Sequence, residues 1–396
     1  MAAEVLATAG ASVTVVDHMA SVGRKFLLAG RGGLNLTHSE PIDALLARYG
    51  RARPRLEAAI SAFGPSELRA WSAGLGSPTF VGSSGRVFPA DFRATPLLRA
   101  WLRRLDELGV EIVVRQEWNG WRADPVAGLL VDFTGRDGAG STIAADALVL
   151  ATGGASWPRV GSDGAWVDVA ASHGVEVTPL RPANCGFTVA WSEVFGERFA
   201  GTPVKTLAVQ FGPAVARGEA MITSTGIEGG VIYELSAALR DAIEARGPVE
   251  LLLDLQPDLS VEAIEALLGR RRPKESLSTS LRRLVRLQPV AIGLLREATS
   301  NRLPTDTAGL ARLIKSAPIR VVSPQPIARA ISTAGGVALA EVDDAFMLTS
   351  QPGVFVAGEM LDWEAPTGGY LLQATFSTAV AAAQGAVDWL AGRSAA

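Results

Sequence analysis

Apolar and polar positions along the chain change their rhythm twice. Residues 2–9 (AAEVLATA) read as a helix stopped by Gly10, and 12–16 (SVTVV) follows as a buried strand closing on Asp17. A helix over 95–108 leads into a strand at 111–115. Short alternating runs at 118–123, 128–134 and 141–145, parted by Gly- and Asp-containing turns, predict a β-meander. An apolar strand over 147–151 then ends in Thr152-Gly153-Gly154. Near residue 184 the pattern shifts to short strand-like runs at 186–191, 204–211, 219–223 and 249–254. Helical runs near 261–269, 276–286, 289–299 and 306–316 come next, the first with Ser260 as its N-cap. The last third returns to strands that end in glycine, at 331–337 and 353–359, before Pro366-Thr367-Gly368-Gly369-Tyr370 opens a long Ala-rich helix over 371–390. The expected partition is a first part over 1–183, a β-rich insert over 184–258, a helical insert over 259–318 and a return to the first domain over 319–396.

Composition narrows the chemistry. At roughly 100–200 residues per domain, 396 residues suit two or three domains, and 48% apolar with 19% charged residues is an ordinary globular balance. Thirty-seven basic against forty acidic side chains give a net charge of −3, so nothing attracts nucleic acid or an anionic membrane in bulk. The one marked basic run is Arg270-Arg271-Arg272 with Lys274, Arg282, Arg283 and Arg286. No aromatic residues interleave it to stack on bases, so it reads as a solvated helix face and no nucleic-acid partner is expected. The mean hydropathy of +0.23 comes from Ala and Gly, and no uncharged apolar run approaches the roughly 20 residues of a spanning helix. No basic n-region of a signal peptide opens the sequence, and a cytoplasmic protein is expected. One cysteine, Cys185, and three histidines leave no disulfide or zinc framework; the expected chemistry is metal-free.

Three segments carry candidate chemistry. Helix, glycine, strand and Asp17 form the second half of a βαβ unit, in which the acidic residue binds a ribose about 20 residues after a glycine-rich turn. Counting back puts that turn at or just before Met1, so the first strand and its G-x-G-x-x-G loop are missing and translation is expected to begin upstream. Residues 22–37 join Arg24 and Lys25 to Gly30, Gly32 and Gly33, which make either a flexible surface loop or a loop whose N–H groups and cations meet a pyrophosphate. Gly153 and Gly154 serve either a plain strand-to-helix turn or a ligand that touches backbone beyond the strand end. The N-terminus of the 371–390 helix presents free N–H groups and a positive dipole end, which favours a cofactor that becomes anionic on reduction.

Together these motifs resemble one family, the BaiN/YhiN-like FAD-dependent flavoproteins, which include aminoacetone-oxidase-like members. The matching segments are GRKFLLAGRGGLNLTH (23–38), GRVFPADFRA (85–94), LATGGASWPRVGSDG (150–164), ITSTGIEGG (222–230), STAGGVALAEVD (332–343) and VFVAGEMLDWEAPTGGYLLQATFSTAVAAA (354–383), in family order over nearly the whole chain. The resemblance implies an α/β fold: a two-part Rossmann-like FAD-binding domain, here lacking its first strand and loop, interrupted by a β-rich and helical insert. It implies Asp17 on the adenosine ribose; Arg24, Lys25, Gly30, Gly32 and Gly33 along the FAD; and Thr152, Gly153 and Gly154 near its diphosphate. Gly358, Glu359 and Asp362 would lie near the ribityl and pyrophosphate region, and Thr367, Gly368, Gly369, Tyr370, Leu371 and Gln373 beside the flavin's pyrimidine edge. Many relatives carry a cysteine where Leu34 stands, so thiol chemistry is not expected at that loop.

With FAD bound, the implied chemistry is two-electron transfer at the flavin, with protein supplying orientation and electrostatics. No Ser-His-Asp arrangement, metal site or carboxylate pair competes. A single dinucleotide unit leaves NAD(P)H as a transient visitor, or oxygen as the acceptor. The expected activity is thus a small-molecule oxidase, acting on an amine or aminoketone, or a nicotinamide-linked reductase. Tyr370 and Trp363 either wall the flavin pocket or serve as core aromatics. Two other readings stay open: a flavin-binding module whose arginine run recognises a macromolecule, and a truncated remnant without catalysis.

Overall fold

Val15, Val16 and Val354–Val356 belong to β-branched runs too short to stand alone, and each is paired in parallel with one other strand. Thr14–Asp17 lies beside Glu111–Val114, with Thr14 opposite Glu111 and Asp17 opposite Val114. Leu148–Leu150 lies beside Val354–Val356. Among the described residues the two pairs share no ladder. The computed structural model describes residues 1–394. It divides into two units: Met1–Arg181 with the segment from Ser332 onward, and Pro182–Ile331.

In the first unit the parallel pairs are joined by a three-stranded antiparallel meander, Gln116–Asp124, Gly128–Gly135 and Gly140–Ala145. A second small sheet orders Thr37–His38, Arg86–Pro89 and Thr79–Val81. The helix Tyr370–Ser394 packs on Ala2–Thr8 and Arg53–Ala62. Its alanines make this possible: Ala374, Ala382, Ala383 and Ala386 are fully buried and let neighbours approach closely. The chain leaves this unit along Val177–Ala183 and returns along Ser332–Val337, two strands of one ladder.

The second unit is a closed six-stranded barrel ordered Phe187–Val189, Gly226–Glu228, Ala214–Thr223, Pro203–Phe211, Val249–Asp254 and Ala317–Pro324. Period-two alternation fills it: Val249, Leu251, Leu253, Ala317, Ile319 and Val321 are buried while their neighbours face outward. Four short helices, Val261–Leu268, Leu277–Leu284, Pro289–Ala298 and Thr307–Lys315, contribute Ile264, Leu281, Leu294 and Ile314 to the same core. Ser260, Ser276 and Asp306 cap three of them, each accepting an N–H of the first turn.

Two boundaries of the expected partition need correction. The run from 319 is not a return to the first domain, because Ala317–Pro324 is the barrel's sixth strand and pairs with both Val249–Asp254 and Phe187–Val189. The return comes at Ser332. Nor are 184–258 and 259–318 separate inserts, since strands and helices share one hydrophobic core.

Closure of the barrel depends on Gly226, where an added Cβ would sit 1.9 Å from the carbonyl oxygen of Phe187. The obstructing atoms are all backbone of the neighbouring Phe187–Val189 strand, with no side chain among them to yield. Gly226→Ala is expected to lower stability by at least about 2 kcal/mol, read as a lower urea midpoint.

Candidate functional site

Helix Arg24–Ala29 follows Gly23 and points Lys25 across the unit toward the ends of two strands. The Lys25 ammonium donates to Ser156 Oγ at 2.8 Å, Ser162 Oγ at 3.2 Å and Glu359 Oε2 at 2.5 Å. Glu359 Oε1 in turn accepts the Thr333 N–H at 3.0 Å, and Thr333 Oγ1 accepts the Ala155 N–H at 2.9 Å. One cation thus ties the 24–29 helix, the 152–162 loop, the 332–337 strand and the 358–360 turn into a single constellation. Gly154 allows this closeness, because a Cβ there would lie 2.3 Å from Thr333 Oγ1. Partly buried charge-assisted hydrogen bonds of this kind fix geometry.

A second constellation forms at the start of the long helix. Gly369, at φ +100°, is pressed against the Thr37 carbonyl, which a Cβ would approach to 2.4 Å. Thr37 Oγ1 donates to Gln373 Oε1 at 2.6 Å, and Gln373 and Ser377 both donate to the Phe63 carbonyl. The Tyr49 hydroxyl donates to the Tyr370 carbonyl at 2.8 Å. The Tyr370 ring stacks on His38 at 5.3 Å, and the Arg48 guanidinium lies over it at 5.6 Å. Arg48 also pairs with Glu40 at 2.9 Å. That guanidinium, more than any other group, holds the Glu40 carboxyl below its ordinary range, while burial and then Glu40 push the Tyr370 phenol well up. A cleft of about 510 Å³ opens beside His38 and Glu40, with Ile42, Ile60, Glu67 and Arg69 also on its walls.

The expected site residues fall into three groups. Lys25, Gly153, Gly154 and Glu359 meet in the first constellation, and Gly368, Gly369, Tyr370 and Gln373 in the second. Thr152 Oγ1 donates to Met360 Sδ at 3.0 Å nearby, and Gly358 donates to Thr378 Oγ1. Others are turned elsewhere. Asp17 accepts the Met19 N–H in a local turn, Gly30 packs on Ala94, Gly33 lies beneath Phe92, and Asp362 accepts from Thr178 and Arg51. Trp363 is buried, donates to the Gly358 carbonyl and meets Tyr49 edge-on. Thr367 is half-buried, and Leu371 is a partly buried neighbour of the core. Ser156, Ser162, Thr333, His38, Glu40, Arg48 and Tyr49 were not among the expected residues. No local motif marks them; only long-range pairing makes them functional candidates.

These groups fit a dinucleotide. Arg24 Nε is buried without a hydrogen-bond partner, and space is open above the Cα of Gly32. Arg24 shares the Arg24–Ala29 helix with Lys25 and Gly32 lies in the turn that follows it, so an unpartnered cationic N–H and open backbone stand close in sequence to the Lys25 cluster, the kind of groups a diphosphate takes. The family described as "HI0933-like protein Rossmann domain" matches residues 1–385.

The chain belongs to the HI0933-like family.

Across this family the chain is 25% identical over 398 residues to a 3-dehydro-bile acid delta(4,6)-reductase of Clostridium scindens, covering 98% of this chain and 93% of that one. It is 26% identical over 391 residues to a ribosomal RNA dihydrouridine synthase of Escherichia coli K12, covering 95% and 92%. In fold it is similar to a 3-ketosteroid delta1-dehydrogenase of Sterolibacterium denitrificans, with TM-score 0.52 and 11% identity over 98% of this chain and 97% of that one. The apo Sdh1 complex of Mycobacterium smegmatis matches with TM-score 0.51 at 16% identity, over 98% and 66%. This HI0933-like chain is a flavin-dependent oxidoreductase with a Rossmann-like FAD-binding domain and an added β-rich insert. No helix among the described residues is long and apolar enough to cross a membrane.

Two outcomes check the site. Lys25→Met leaves Glu359 unpaired and removes a cation from the cluster, so apoprotein titrated with FAD is expected to bind at least about tenfold more weakly. Glu40 has its folded pKa below the ordinary 4.5, so it adds stability above that value that is lost as pH falls through the lowered pKa. In Glu40→Gln that contribution is gone, and the urea midpoint is expected to fall less steeply with acid than in the wild type.

Proposed function

We propose that this oxidoreductase saturates a carbon–carbon double bond conjugated to a carbonyl, with NAD(P)H visiting the flavin transiently as electron donor. The names of the relatives support the reading. A delta(4,6)-reductase of a 3-dehydro-bile acid and a dihydrouridine synthase both add two hydrogens across a double bond conjugated with a carbonyl, on otherwise unlike substrates. Overall, NAD(P)H and one proton are consumed, NAD(P)⁺ is released, and the alkene gains a hydride at its β-carbon and a proton at its α-carbon.

The observation that carries the proposal is the seating of the Gly369–Tyr370 helix start. A 25-residue helix begins there, its first turn fixed by Thr37, Tyr49 and Gln373. FAD supplies hydride transfer when bound. The chain's own part is to hold the diphosphate with Arg24 and Lys25 and to place the helix's free N–H groups where negative charge develops. Because this first turn is locked by buried hydrogen bonds, its dipoles need not reorganise during the reaction. At the glycine loop, Leu34 is a fully buried aliphatic residue, which favours a reductase over a thiol-based enzyme.

The test is anaerobic reduction of the purified flavoprotein by NADPH, followed by reoxidation with a 3-oxo-4-ene steroid, cyclohexenone or uridine. One of these is expected to reoxidise the flavin at least about tenfold faster than its saturated counterpart. Reoxidation by oxygen alone, with an aminoketone as the only effective reductant, would show an oxidase and overturn the proposal.

A further inference from the structure

Strand alternation divides the small sheet of the first unit into two faces. Val87 is fully buried on one, toward the 510 Å³ cleft that it helps to line. Arg86 and Phe88 stand on the other, and Phe80 is directly opposite Phe88 across the ladder. Phe92 completes a three-ring cluster, with centroids 4.9 Å from Phe80 and 5.1 Å from Phe88, and 5.8 Å between those two.

This aromatic face joins three unusual features. Phe92 is 47% exposed, although it is large and apolar. Its backbone is left-handed at φ 61°, a strained conformation for such a residue. It is also fastened to the glycine loop: Leu34 N–H donates to the Phe92 carbonyl at 3.1 Å, and a Cβ on Gly33 would lie 2.8 Å from its ring. Strain, exposure and attachment to the loop expected along the flavin thus coincide at one side chain. Arg86, exposed on the same face, has no carboxylate partner among the described residues. The 510 Å³ cleft is less suited to a ligand, because its charged groups are engaged already. Glu40 holds Arg48, Glu67 accepts the Gly64 N–H, Arg69 donates to Thr79, and His38 is hydrogen-bonded to the Ser84 carbonyl.

We propose that the Phe80–Phe88–Phe92 face is the docking wall for the substrate, and that the substrate is a flat, conjugated ring compound bearing a carboxylate. The rings offer faces for stacking, and the Arg86 guanidinium takes the acid group. This deepens the functional reading and rests on it, since it takes the 30–33 loop to run along the flavin.

The test titrates the flavoprotein by calorimetry with 3-(2-naphthyl)acrylate and with its neutral amide. Phe92→Gly removes the ring and suits the left-handed backbone, so it spares the fold; Phe92→Leu keeps apolar bulk without a ring face. Phe92→Gly is expected to weaken the acid about tenfold and Phe92→Leu less, whereas Arg86→Gln weakens the acid about fivefold and leaves the amide unchanged. Flavin content, read from visible absorbance of the same samples, is expected to stay constant. Colourless wild-type protein would overturn the functional reading, while the titration still reports on the face itself. Acid affinities within twofold of wild type for both Phe92→Gly and Arg86→Gln would overturn the docking wall. So would a change of oligomeric state in Phe92→Gly without a change in affinity, which would assign the face to a second copy of the chain.

Discussion

A lysine ammonium in a half-buried setting must be surrounded by acceptors, and that requirement organises the first unit around Lys25. Ser156, Ser162 and Glu359 satisfy it, and Glu359 lies 334 positions away in the chain. Desolvation makes such a pair weak as a source of stability but demanding of geometry. Because Glu359 also fixes the Thr333 N–H, and Thr333 fixes Ala155, placing the cation places four segments at once. The glycines at these strand ends follow from it: side chains there would hold the segments apart.

The flavin chemistry of the family sits comfortably on this frame. A cofactor of that size needs one end neutralised and the other polarised. Lys25 and the unpartnered Arg24 Nε provide cationic character along one stretch, and the locked first turn of the long helix provides oriented dipoles at another. Neither depends on a mobile loop. The aromatic face carried by Phe92 stands beside the same glycine loop, so binding of a ring compound and binding of the cofactor would draw on adjoining backbone.

Much of the fold was legible where local signals are strong. Three insert helices begin at Ser or Asp caps and the fourth at Pro289, and the meander alternates apart from a shift at Gly120, so both are legible from the residues alone. Ala317–Pro324 did not, because a barrel strand and a strand returning to a parallel sheet present the same apolar alternation; only its two partners distinguish them. The helices Ile42–Ala47, Arg53–Ala62 and Pro65–Gly74 carry a weaker local signal because, except for Glu67 at the last, they lack side-chain caps. In the site, motifs carried Lys25, Gly154 and Glu359 individually but not their union. Glu40, Arg48 and Tyr49 carried no signal at all, since their meaning comes from packing around Tyr370.

The strand pair Val177–Ala183 and Ser332–Val337 has a bearing on how the molecule comes into being. Translation delivers Met1–Arg181 before the barrel, and Thr333, Glu359 and the long helix only after it. A ribosome-bound chain therefore holds Lys25 without its carboxylate and the helix Arg53–Ala62 without its cover throughout synthesis of the insert. The barrel, by contrast, has every strand in hand before the chain re-enters the first unit. Domains tend to fold as units during synthesis. The order of maturation is thus inverted relative to the order of the sequence: the barrel is finished before Glu359 is made, and Lys25 waits for its carboxylate.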